Sequence, residues 1–131
     1  MSIVTRYTET LYNKYAVVAT NFVYDSDGST DADAGWKSAK SDELAFQFNV
    51  ATLNATYLEY RIEGKNTGYE RICEIANATI STAGGLDTVV SITEPVKYVR
   101  VGIKLNNDAT PNSFYGALLK SESRWSYNAL N

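Results

Sequence analysis

The sequence predicts an all-β chain: a single antiparallel β-sandwich, jelly-roll-like, with extended N- and C-terminal segments. Three features point there. Apolar and polar residues alternate with a period of two, turn residues recur at intervals of roughly 8–12 residues, and only one weak segment suggests a helix. The 131 residues suit one folded unit with its own core. The expected organisation is an N-terminal arm over residues 1–14, a sandwich over 15–120 and a tail over 121–131.

Residues 1–14 differ from the middle of the chain: Tyr7, Leu11 and Tyr12 stand among threonines and are expected to contact a neighbouring protein. Tyr15 to Tyr24 is a first strand signal. Ser38 could cap a short helical turn reaching Glu43, but its apolar positions do not recur at helical spacing. Three segments then alternate strictly. Leu44, Phe46, Phe48 and Val50 oppose Ala45, Gln47 and Asn49; Leu58, Tyr60 and Ile62 oppose Glu59, Arg61 and Glu63; Val99, Val101, Ile103 and Leu105 oppose Arg100, Gly102 and Lys104. Each suits a strand with one buried and one wet face. Further strands are expected over 69–75, 78–82, 88–93 and 114–120, separated by turns at Asp27-Gly28, 64–68, 83–85, Glu94-Pro95 and 106–111. The tail carries Trp125, Tyr127 and Leu130, apolar enough to prefer a surface to water. It either folds back on its own sandwich or docks on a neighbouring subunit, and its removal is expected to leave a folded domain that assembles poorly.

The chain has no histidine, which removes Ser-His, Cys-His and His-metal constellations together. A single cysteine, Cys73, allows no internal disulfide or CxxC site and is expected to pack as a small apolar residue. The net charge is -3, with six of the 15 acidic residues between Asp25 and Glu43. Elsewhere the signs nearly balance and no basic run occurs, so nucleic acid is not an expected partner. No apolar stretch is long enough to span a membrane, and the N-terminus lacks the order of a secretory signal. Asp25, Asp27, Asp31 and Asp33 flank Gly28 at a spacing that could gather oxygen ligands around calcium, although no bidentate glutamate closes the loop; a solvated acidic turn is the preferred reading, and no other cofactor is expected. Glu59 and Glu63 share a strand face but stand about 13 Å apart, too far for a glycosidase pair. Arg61 between them suggests a salt-bridged sheet face, and no enzymatic activity is expected. Ten tyrosines, four phenylalanines and two tryptophans exceed the needs of such a core. Trp36, Tyr57 and Tyr69 are therefore candidates for stacking on a ligand.

Leu58-Glu59-Tyr60-Arg61-Ile62-Glu63-Gly64, then Tyr69-Glu70-Arg71-Ile72, then Glu94-Pro95-Val96-Lys97-Tyr98-Val99-Arg100-Val101-Gly102-Ile103 form an order that resembles small β-sandwich virion proteins of tailed bacteriophages. The likeness spans about residues 43–120 and rests on short apolar motifs. It implies a non-enzymatic capsid decoration, auxiliary, head or tail component. Such a protein would be made in the host cytoplasm, reside in the virion, and contact other virion proteins and copies of itself. The strand from Tyr98 to Ile103 and the aromatics are also similar to carbohydrate-binding jelly rolls, which makes glycans the alternative partner.

Overall fold

The computed structural model describes residues 2–66, 72–84 and 87–125. The strands are β1 (Ser2–Ala16), β2 (Lys37–Ser38), β3 (Glu43–Thr52), β4 (Leu58–Lys65), β5 (Cys73–Ile80), β6 (Thr88–Ser91), β7 (Tyr98–Leu105) and β8 (Ser113–Trp125), and no helix occurs among the described residues. They form two antiparallel four-stranded sheets, β1-β8-β3-β6 and β2-β7-β4-β5. The pairings β1 with β8, β2 with β7, β3 with β6 and β4 with β5 are those of one long antiparallel ribbon rolled into two layers. That order is the jelly roll.

The strict alternation of the sequence becomes the interior. Leu44, Phe46, Phe48, Val50, Phe114 and Leu118 from one sheet meet Leu58, Tyr60, Ile62, Val99, Val101, Ile103 and Leu105 from the other, all buried. The Phe48 ring lies 4.8 Å from that of Tyr60 and 5.6 Å from that of Phe114, centroid to centroid, within the range of favourable aromatic pairs.

Four segments are decided by the tertiary structure. First, residues 2–16 are not a free arm but the fifteen-residue edge strand of the first sheet. Two register shifts, between Thr10 and Tyr12 and between Tyr12 and Tyr15, interrupt its ladder with β8. The first brings Leu11 and Tyr12 both against the core, as a bulge does by opposing two residues to one. Likewise residues 121–125 continue β8 and pair with β1 as far as Ser2, so the tail expected from 121 begins inside a strand. Second, residues 17–22 lie outside any strand, and Val23 makes only an isolated bridge to Ile103. Third, residues 39–42 form no helix, in keeping with the missing helical spacing of their apolar positions, and the chain passes directly from β2 towards β3. Fourth, β5 runs unbroken through residues 76–77, where a gap between two strands was expected; residues 69–71 lie outside the described residues.

Candidate functional site

The charged residues of β4 and β7 build the outer face of the second sheet. Arg100 and Gly102, expected to be wet, are buried there. Their cover is Phe22, Tyr24 and Trp36, carried over the sheet by the segment before β2. The Arg100 guanidinium lies 3.5 Å from the Tyr24 ring centroid and 4.5 Å from that of Trp36. Its Nε donates to Glu63 Oε1 at 3.0 Å, and its Nη1 donates to the carbonyls of Asp31, Ala32 and Ala34 at 3.1, 3.0 and 3.0 Å. With Glu63 4% and Arg100 2% exposed, this is a desolvated ion pair with its hydrogen bonds made, the condition under which such a pair is tolerated. Burial, and then the charge of Glu63, push the Tyr24 hydroxyl above the usual phenol range. Gly102 is required by close approach, since a Cβ there would stand 2.6 Å from Tyr24 Cε1.

The same layer continues along the sheet. Lys104 lies over Phe22 and pairs with Glu59 at 3.9 Å, while Arg61 sits 3.5 Å from Glu74 and 3.7 Å from Glu63. Glu59 and Glu63, whose spacing had raised the glycosidase question, are thus each matched to a cation. Cys73 does not pack as a core residue. It is exposed at the start of β5, an edge strand, with its thiol 3.3 Å from the Gly64 carbonyl.

The acidic loop uses its carboxylates to shape turns. Asp25 Oδ1 accepts from the amides of Asp27 and Ser29, both at 3.0 Å, and Asp31 Oδ1 accepts from that of Asp33 at 2.9 Å. These are Asx turns. Among the described residues no three metal-ligating side chains come together. Of the stacking candidates, Trp36 is held by Arg100, by Lys65 4.4 Å from its ring, and by its own indole bond to the Ala32 carbonyl. Tyr57 precedes the far end of β4, about 26 Å of strand away from Lys65, so the two rings do not form one platform. Tyr69 lies outside the described residues.

Of the six contact residues expected at the ends, Tyr7 is 49% exposed on β1, Leu11 is partly buried against the core, and Tyr12 is 1% exposed. The Tyr12 hydroxyl crosses the sandwich and donates to the Val101 carbonyl at 3.0 Å. Its burial makes it a core residue, not a surface contact. Trp125 closes the ladder opposite Ser2, and Tyr127 and Leu130 lie outside the described residues.

A further accessible surface is the outer face of the first sheet with its β1 edge. Cross-strand register places Arg6, Ser121 and Glu43 in one row and Thr8, Leu119, Ala45 and Ser91 in the next. The short side chains of Ser121, Ala45 and Ser91 leave a groove of about 640 Å³, which Tyr7 also lines. β1 is the longest strand and lies at the sheet margin, so among the described residues the backbone groups on its far side meet no partner strand. The sequence signal missed here was the threonine-rich run 5–10, a good strand former with no strict apolar stripe.

No family model matches the chain, and no curated protein does. Among solved structures, a chain of infectious bursal disease virus Gx strain is 15% identical with a TM-score of 0.47, over 91% of this chain and 32% of that one. A chain of Mud Crab Dicistrovirus is 8% identical with a TM-score of 0.31, over 96% of this chain and 70% of that one. This chain thus spans about a third of the length of the bursal disease virus chain. At these identities and scores, neither likeness assigns a function.

Proposed function

We propose that this chain is a non-enzymatic structural protein of a viral particle, acting through contacts with other particle proteins and with copies of itself. The observation that carries the reading is the strand order. A rolled ribbon of eight strands is an architecture used for viral capsid domains and for lectins. That is an analogy of fold. It is joined by a local feature: β1 is a fifteen-residue strand with one edge unpaired among the described residues, beside exposed Tyr7, which suits addition of a strand from a neighbour. The finer reading, from the sequence resemblance, is a capsid decoration, auxiliary or head-tail component of a tailed bacteriophage, made in the host cytoplasm and incorporated into the virion.

The test is to purify particles from cells producing the chain with an epitope label and to locate the label by electron microscopy, alongside light scattering of the isolated protein. Regularly spaced label on the particle, or a defined oligomer that binds particle proteins, supports the reading. A label absent from purified particles, together with a monomer that binds none of their proteins, sinks it. Sugar stacking on Trp36 and Tyr57 is not favoured, since Trp36 is already engaged and Tyr57 lies remote from it.

A further inference from the structure

The next rows of the first sheet's outer face differ in chemistry from those beside Tyr7. Thr10, Ala117 and Gln47 align across β1, β8 and β3, and Tyr115 opposes Asn49 in the row beyond. Around the short Ala117 side chain lies a groove of about 500 Å³, within the range of small-molecule sites. Among the described residues no lysine or arginine lines it, and Asp87 is the one charged residue. Gln47 Nε2 donates to Asp87 Oδ2 at 3.0 Å, which orients both side chains and directs Gln47 Oε1 and the other Asp87 oxygen to serve as acceptors. Asn13 and Asn49 also line the groove, and neither side chain makes a hydrogen bond to a described residue. Asn13 falls within the second register shift of β1, between Tyr12 and Tyr15, and lines the groove from there.

We propose that this groove binds a neutral pyranose unit of an oligosaccharide. A sugar hydroxyl donates and accepts at once; the carboxamides of Asn13, Gln47 and Asn49 present both functions without charge, and the Asp87 carboxylate adds an acceptor. Tyr115 supplies an aromatic surface for the C–H face of the ring and a hydroxyl at its margin. An anion would meet Asp87 with no cation to compensate it, and a cationic ligand would find only one carboxylate. The site is separate from Trp36, Tyr57 and Tyr69, and it stands or falls independently of the particle role.

The full chain, labelled with nitrogen-15, is titrated with glucose, galactose, mannose and N-acetylglucosamine, and is also applied to a neutral glycan array. The expected result is saturable movement of the Gln47, Asn49, Tyr115 and Ala117 amide resonances with at least one sugar. Tyr115→Ala and Asn49→Ala should each weaken that binding roughly tenfold, as the loss of one stacking or hydrogen-bonding group predicts. Unchanged dispersion in the variant spectra separates lost binding from lost fold, and Thr10→Val provides a second, volume-conserving probe. No movement with any of the four sugars and no array signal overturns the proposal. So does movement that maps to Trp36 or Tyr57, or movement with protein concentration alone, which would identify the occupant as a second copy.

Discussion

Arg100 is the residue on which the second sheet's outer layer depends, because one guanidinium satisfies Glu63, three loop carbonyls and the faces of two aromatic rings. Arg100→Met leaves Glu63 buried without its closest cation and should cost about 3–5 kcal/mol. Arg100→Met combined with Glu63→Met should cost less than the single change, which urea denaturation midpoints of the two variants would show. Tyr12 gives a pH dependence. Burial holds its hydroxyl proton well above the ordinary 10.0, so above that pH the unfolded chain binds fewer protons than the folded one. The contribution is fully present below pH 10.0 and is lost as the pH rises further. Tyr12→Phe should flatten the alkaline decline, followed by melting temperature against pH, and cost about 0.5–1.5 kcal/mol at neutral pH.

At the scale of elements, the β1–β8 ladder matters most, since it holds both ends of the sandwich. Lys14 has a φ of 53° within the irregular part of β1, in the left-handed region that disfavours side chains. Lys14→Gly should therefore stabilise the fold by about 0.5–1 kcal/mol, read from a urea midpoint. The end of β8 decides where the chain can be shortened. Ser121 accepts from the Asp42 amide at 2.9 Å and bonds the Ser41 hydroxyl, and residues 121–125 pair with β1. Removing 121–131 should therefore lower the melting temperature markedly, contrary to the expectation that the domain folds as well without the tail and loses only assembly. Removing 126–131 separates the two readings of the tail: reduced incorporation into particles at an unchanged melting temperature supports a contact of Tyr127 and Leu130 with a neighbour, and a lowered melting temperature supports folding back.

For the molecule as a whole, the two outer faces are unequal. One is closed by aromatic rings and ion pairs, and the other is open, grooved and flanked by a free edge. Contacts with neighbours are accordingly expected on the first sheet. Tyr7→Ala should leave the monomer's melting temperature within about 2 °C while lowering oligomer mass or particle occupancy, measured by light scattering and by labelling of purified particles. Equal occupancy for both proteins would move the contact off this edge.

The periodicity of the chain by itself determined the class of fold and the central strands. Leu44–Val50, Leu58–Ile62 and Val99–Leu105 are legible because a sheet with one buried face imposes a period of two on its residues. Only the tertiary structure decided strand order, the edge position of β1, and the partners of Arg100, Trp36 and Tyr12. Bulges let Leu11 and Tyr12 face the same way, which hides a strand from any alternation test. A loop folded over Arg100 and Gly102 buries a face that local pattern marks as wet, because contacts distant along the chain leave no period in it.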